Sequence, residues 1–239
     1  MMCAMPYELT IVIPVYNEGD NILATLQEIG AGVSVASTVS LIYDTEEDTT
    51  LPAVRRLNTF PFPVRLIRNA YGRGALNAIK TGLEAAETEL VIVTMADLSD
   101  PPGVMNDMVR VAKERHAAIV CASRYMKRGQ QLGGPKLKGF LSRMAGLILH
   151  HIARLPTHDP TNSFKLYRKS FLAVTPIEST GGFELGIELV VKAHKKGYTV
   201  AEIPTVWRDR MAGQSNFKLW EWLPHYLKWF FYAFDPRQT

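Results

Sequence analysis

The sequence has little cysteine: Cys3 and Cys121 in 239 residues. The two lie far apart, and Cys121 sits in the apolar run AAIVCAS (117–123), where a thiol serves as a small buried hydrophobe. No disulfide framework follows, and a reducing cytoplasm is the expected compartment. The chain also lacks any run of the about 18 consecutive apolar residues that a membrane span needs. Its start, MMCAMPYELT, has neither a basic region nor a long apolar stretch, so no signal peptide is expected. The six histidines show no metal-ligand spacing. His150 and His151 are adjacent, point to different helix faces and read as helix surface. No Ser-His-Asp or Cys-His set can be assembled. Charge of one sign is scarce as well, with 27 basic and 23 acidic residues and a net charge of +4. That mild excess suits an anionic ligand or an anionic membrane surface. It is too weak for a nucleic-acid partner, and no arginine run or zinc-finger spacing supports one. Repeats, low-complexity tracts and linkers are absent too, so the chain reads as one unit.

What is present is alternation. Short β-rich runs at 8–15, 38–44, 62–69, 89–95 and 117–123 are separated by helical patterns at 17–30, 51–58, 74–87 and 101–116. Ile22, Leu23, Leu26 and Ile29 show the helical spacing, with Gly30 as a stop. Such alternation predicts an α/β fold, a Rossmann-like and mostly parallel sheet flanked by helices. Beyond it, 124–139 is basic and glycine-rich and reads as a mobile loop. An amphipathic helix is expected over 140–155, then a turn, a strand and a short helix over 159–172. A helix over 183–197 and a strand over 199–207 follow.

In parallel sheets, ligands sit beyond the carboxyl ends of the strands. That rule selects Pro14–Glu18, Asp44–Asp48, Asn69–Gly74 and Met95–Asp100. The last, in TMADLSD, offers Asp97 and the Ser99 hydroxyl to a hard cation such as Mg²⁺ or Mn²⁺, which takes few protein ligands when diphosphate supplies the rest. An ordinary polar turn explains the same residues, and Asp100 reads either as a ligand or as the N-cap of the next helix. The acidic stretch YDTEEDTT (43–50) suits a nucleobase N–H or a ribose hydroxyl, or else a capped helix start at Asp48 or Thr49. NAYGRGALN (69–77) sets Arg73 between two glycines at a helix start, fit for diphosphate or for a tight turn. RDRMAGQSNFK (208–218) is either an anion-binding loop or a solvated basic one.

The last segment, LWEWLPHYLKWFFYAF (219–234), has Trp220, Leu223, Leu227, Phe230, Phe231 and Phe234 at helical spacing. Its tryptophans and tyrosines suit a membrane interface, while the same stripe would equally pack on the domain.

Taken in order, these motifs resemble those of the family 2 glycosyltransferases, and most of all the polyprenyl-phosphate (dolichol-phosphate) mannose or glucose synthases. IPVYNE (13–18) is similar to the family's opening motif, ADLSDPP (96–102) to DADLQDPP, ASRY (122–125) to GSRY, DPTNSFKLYRK (159–169) to DPTSGFKLYRR, and RMAGQSNFK (210–218) to an RxxGxSK ending. The resemblance spans almost the whole chain. It implies a GT-A fold over 1–218, with 219–239 as a C-terminal helix of the same unit. It also implies a nucleoside diphosphate sugar donor, a divalent metal and a polyprenyl phosphate acceptor at a membrane surface, met by a cytoplasmic or peripheral protein. Carried over, Pro14, Tyr16, Asn17 and Glu18 match the nucleotide motif, and Asp44 and Asp48 match carboxylates of DDGSxD. Asp97 matches the second Asp of the metal-binding DxD, with Ser99 at the supporting position. Arg124 matches the arginine of GSRY, and Arg210 and Ser215 the phosphate-contacting loop, with Lys218 close by. Three positions depart: Met95 stands at the first DxD carboxylate, Tyr43 at the first Asp of DDGSxD, and Asn216 at the lysine of GxSK.

A phosphate acceptor is already ionised at neutral pH and requires no strong base. A hydroxyl acceptor would require one, and Asp159 and Glu188 are the candidates.

Overall fold

In the computed structural model, described for residues 7–56, 59–209 and 219–236, the alternation becomes a three-layer α/β/α arrangement. The strands β1 (Leu9–Pro14), β2 (Ser37–Tyr43), β3 (Val64–Arg68), β4 (Leu90–Val93) and β5 (Ile119–Ser123) are joined through α1 (Asn21–Gly32), α2 (Thr50–Arg56), α3 (Ala75–Ala85) and α4 (Val104–Glu114). Then come β6 (Gln130–Leu132), α5 (Lys136–His151), β7 (Lys165–Arg168), α6 (Lys169–Ala173), α7 (Leu185–Lys195), β8 (Val200–Pro204), β9 (Val206–Arg208) and α8 (Leu219–Tyr232). The main sheet has the order β3-β2-β1-β4-β7-β5-β8, with only β7 antiparallel to its neighbours.

Period-two alternation sorts the core. Leu9, Ile11 and Ile13 of β1 face the layer of α1, α2 and α4. Val12 faces the opposite layer, which holds α3, α7 and Trp229 of α8. Helix α3 lies so close to the sheet that a Cβ on Gly82 would stand 2.2 Å from Val12 Cγ1. Cys121 is a free, buried thiol, and burial pushes its pKa up to about 12, so it acts as a hydrophobe.

Two expectations change. Residues 124–139 are not one loop. Gln130–Leu132 pairs in parallel with Val206–Arg208, and α5 begins at Lys136. The backbone donors that glycine-rich composition leaves unclaimed are taken by a strand that arrives late in the chain. The apolar stripe of the last helix also sits differently. Trp229 is 1% exposed, while Phe231 is 64% and Leu227 40% exposed. Trp222, Tyr226, Trp229 and Phe230 turn inward: Trp229 donates its indole N–H to Ser179 Oγ at 3.1 Å, and Trp222 meets Phe183 edge-on. The partner is α7 with the 177–183 loop, more than α5. Among the described residues no helix is long and apolar enough to cross a membrane.

Trp229→Phe is expected to cost about 1–2 kcal/mol through the lost hydrogen bond and lost ring area. Phe231→Ser should stay within about 0.5 kcal/mol. Urea melts of the two variants check the assignment of faces.

Candidate active site

The carboxyl ends of β1, β2, β3 and β4 bring three loops together through side-chain ties to backbone. Asp48 is buried, and its Oδ1 accepts the N–H groups of Asn17 at 3.1 Å and Thr50 at 2.8 Å. It therefore holds the start of α2 and clamps the 14–18 loop with the same oxygen, while its Oδ2 is buried without a hydrogen-bond partner among the described residues. Asn17 returns the tie, accepting the Thr49 N–H at 3.2 Å, and takes a left-handed φ of 54° to do so. Glu18 N–H donates to Thr50 Oγ1 at 3.1 Å. Asp44 anchors the next loop: its two oxygens accept from Asn69 Nδ2 at 2.8 Å and from Gly74 N at 3.0 Å. Gly74 has φ 121°, a conformation that side chains resist. The turn that carries Arg73 is thus fixed while Arg73 and Tyr16 themselves are exposed. Tyr43, at the first position of the family's acidic motif, is buried in the core, and its hydroxyl donates to Glu46 Oε1 at 2.9 Å.

After β4 the chain makes a tight turn, with Leu98 at φ 55°. Asp97 Oδ1 accepts both the N–H of Ser99, at 3.1 Å, and its hydroxyl, at 2.6 Å. Ser99 therefore braces Asp97. Ser99 O in turn accepts the N–H of Arg208 at 2.9 Å, which ties the end of β9 to this turn. Met95 is half-buried and lies outside both hydrophobic clusters. Asp100 does not cap α4, whose N-cap is Gly103. Instead it is buried, with Oδ1 unpartnered among the described residues. Burial pushes its pKa to about 7; Arg124 opposes the shift, and Asp97 and Asp159 add to it.

Beside this turn lies a buried ion pair. Arg124, at the end of β5, meets Asp159 through Nε at 2.7 Å and Nη2 at 2.9 Å, and its backbone N–H adds a third bond at 3.0 Å. Nη2 also reaches Ser142 of α5 at 3.2 Å and Thr161 at 3.3 Å. Nη1 makes no hydrogen bond among the described residues. Burial works against the Asp159 charge, yet the charge and bonds of Arg124 outweigh it and hold the carboxyl below its ordinary pKa. Asp159 is thus a locked anion, not a proton acceptor. Glu188 is equally committed, accepting the N–H groups of Glu178 at 2.6 Å and Ser179 at 2.9 Å and the Lys192 ammonium at 2.6 Å. Both candidate bases for a hydroxyl acceptor are therefore structural.

The fold brings Pro14, Tyr16, Asn17, Glu18, Asp44, Asp48, Arg73, Asp97 and Ser99 to the carboxyl ends of β1 to β4, and the charges of Arg124 and Asp97 both bear on the buried Asp100 carboxyl. Arg210, Ser215 and Lys218 lie outside the described residues. Ser142 and Thr161 were given no role in the reading from sequence, because a serine in a helix or a threonine in a turn carries no signal of its partner. His151 is exposed as expected, but His150 stacks on His158 with ring centroids 3.8 Å apart. Among the described residues no three His, Cys, Asp or Glu side chains converge as a metal cage.

A family model described as glycosyl transferase family 2 matches residues 10–174. The chain belongs to this family. A dolichol-phosphate mannosyltransferase of Pyrococcus furiosus is 26% identical over 233 residues, which is 93% of this chain and 64% of that protein. A glycosyltransferase of Synechocystis sp. is 25% identical over 221 residues, covering 91% of this chain and 66% of its own length. The family 2 chain therefore spans less than two thirds of either relative. Among solved structures, glucosyl-3-phosphoglycerate synthase from Mycobacterium tuberculosis, in complex with Mn²⁺, UDP and glucosyl-3-phosphoglycerate, superposes with a TM-score of 0.69 at 14% identity, over 95% of this chain and 80% of that one. The mostly parallel sheet with its helices is thus the GT-A fold.

Proposed function

We propose that this family 2 glycosyltransferase moves a hexose from a nucleoside diphosphate sugar to the phosphate of a polyprenyl carrier, inverting the anomeric carbon. One observation carries the choice of acceptor: Asp159 and Glu188, the carboxylates a hydroxyl acceptor would use as base, are buried and fully engaged. A phosphate monoester, with a second pKa of about 6, reacts without a base. The likeness to a dolichol-phosphate mannosyltransferase supports the same reading.

In this reading Pro14, Tyr16, Asn17, Glu18, Asp44 and Asp48 shape the nucleotide site, and Arg73 faces the diphosphate. The donor set at Asp97 is all hard oxygen, with one carboxylate braced by Ser99, and fits Mg²⁺ or Mn²⁺ arriving with the diphosphate rather than a preformed cage. Bound there, the cation would offset charge on the leaving diphosphate. Arg124, through Nη1, and Arg210, Ser215 and Lys218 orient the acceptor phosphate. Its oxygen attacks the anomeric carbon as the bond to the diphosphate breaks on the opposite side, so no proton has to leave the nucleophile.

The test is an assay with UDP- and GDP-hexoses, Mn²⁺ and a polyprenyl phosphate, followed by extraction. Label is expected in the organic phase. Turnover found only with hydroxyl acceptors, or none with any acceptor while donor binds, would replace this reading with a glycan transferase or a nucleotide-sugar-binding protein.

A further inference from the structure

Three of the six histidines meet where the end of α5 packs on the 156–159 turn, and none has a part in the transfer chemistry proposed above. His150 and His158 stack with ring centroids 3.8 Å apart and planes 28° from parallel. Each ring is oriented through Nδ1. His150 Nδ1 lies 2.8 Å from the carbonyl oxygen of Leu155. His158 Nδ1 lies 2.8 Å from Glu202 Oε2, and Glu202 Oε1 accepts the His158 N–H at 2.5 Å and the Thr157 hydroxyl at 2.8 Å. A carbonyl and a carboxylate only accept, so both Nδ1 atoms carry a proton, and the lone pair of each neutral ring falls on Nε2. Neither Nε2 has a hydrogen-bond partner among the described residues, and neither is a buried atom, so both are open to solvent.

This is how metal-binding imidazoles are held: the second nitrogen donates to a carboxylate or a backbone carbonyl, which fixes tautomer and ring orientation. The Glu202 side chain, on the edge strand β8, is 9% exposed and bonds only to Thr157 and His158 among the described residues. The frame around the pair is tight. Gly146 of α5 lies so close to the turn that a Cβ would stand 2.1 Å from the His158 carbonyl oxygen, and the Leu155 N–H closes the helix end onto Leu149 O at 3.0 Å. Metal bonds to imidazole run about 2.0–2.1 Å, and two of them at the tetrahedral angle span about 3.3 Å, close to the spacing of the rings. His151 is exposed and stands edge-on, with centroids 4.9 Å from His150 and 6.4 Å from His158, so the site is a pair whose remaining positions belong to water. Ligand type separates it from Asp97 and Ser99: hard oxygens suit Mg²⁺ or Mn²⁺, while imidazoles suit Zn²⁺, Ni²⁺ and Cu²⁺.

We infer that His150 and His158 form a second cation site, which takes a borderline transition metal such as Zn²⁺ through the two Nε2 atoms, with Glu202 positioning His158. A cation there staples the end of α5 to the turn one residue before Asp159, the counter-ion of Arg124, and stiffens the frame of that arginine. The site is independent of the sugar donor and of the acceptor.

The experiment is isothermal titration of Zn²⁺ into the whole untagged chain, freed of metal by chelation, beside melting curves and the electron paramagnetic resonance of bound Cu²⁺. Wild type is expected to take one Zn²⁺ at micromolar concentrations, to melt higher as Zn²⁺ rises, and to show nitrogen splitting on Cu²⁺. His150→Phe keeps a ring in the stack and removes its nitrogens, and it should weaken Zn²⁺ binding by about tenfold or more, as should Glu202→Gln. Asp97→Ala and His151→Gln should bind Zn²⁺ as wild type does. Wild type that binds no Zn²⁺ at micromolar concentrations overturns the inference, as does binding that survives His150→Phe or that Asp97→Ala removes. The Cu²⁺ spectrum needs no variant to fold: a cation bound to wild type through oxygen alone overturns the inference as well.

Discussion

Asp159→Ala is expected to destabilise the protein by about 3–5 kcal/mol, because it leaves the Arg124 guanidinium buried without its counter-ion. The Arg124 side chain is 10% exposed and that of Asp159 fully buried, so solvent offers no replacement. Three hydrogen bonds to Arg124 disappear at once, one of them from its backbone N–H, and the N–H of Asn162 loses its acceptor as well. Arg124→Met with Asp159→Leu should cost far less than the single change, since an apolar pair of similar volume removes both desolvation penalties together. The pH dependence has a defined sign. The folded-state pKa of Asp159 is depressed, so its contribution is complete above the unfolded value of about 3.9 and is lost as pH falls through the folded value. Urea melts of wild type and Asp159→Ala at descending pH should therefore converge on the acid side. A cost below about 1 kcal/mol near neutrality, or curves that stay parallel into acid, would mean that the pair is not the buried unit its geometry describes.

The sheet was legible because its signal is local. Ile11, Val12 and Ile13, or Val91, Ile92 and Val93, are apolar on both faces, as strands covered by helices on both sides must be. The strand-end rule then selected the loops that Asp44 and Asp48 hold in place. What stayed hidden depends on partners far along the chain. The segment 130–132 has little strand character of its own and becomes a strand because Val206–Arg208 supplies the ladder. Asp159 looked like a candidate base because a carboxylate in a turn is ambiguous until its partner is known. The partner, Arg124, lies 35 residues earlier. The choice between the two faces of α8 stays hidden for a related reason. Where nearly every residue is aromatic or apolar, periodicity cannot choose a face, and the partner that fixes Trp229, Ser179, lies 50 residues earlier.

Asp97→Ala should remove the metal-dependent part of donor affinity and leave the fold intact. In the proposed role Asp97 is the single protein carboxylate for the cation, since Met95 occupies the position where the family's first DxD carboxylate would stand. Asp97 Oδ1 accepts from the N–H and hydroxyl of Ser99, two residues away, so this tie is local to the turn. Isothermal titration of UDP and GDP, each with and without Mn²⁺, should show a metal-dependent gain in wild type and none in the variant. Met95→Asp tests the same site from the other side. Met95 is half-buried and outside the hydrophobic clusters, so a carboxylate there can keep water or a cation as partner. A second oxygen ligand should tighten metal-dependent donor binding about tenfold, or about 1.4 kcal/mol. The alternative is a methionine whose packing holds the turn. In that case the buried charge would lower the melting temperature by the equivalent of several kcal/mol and bring no gain in Mn²⁺ dependence. The two titrations and one melting curve separate a one-carboxylate metal site, completed by the diphosphate, from a turn that binds its donor through arginine and backbone alone.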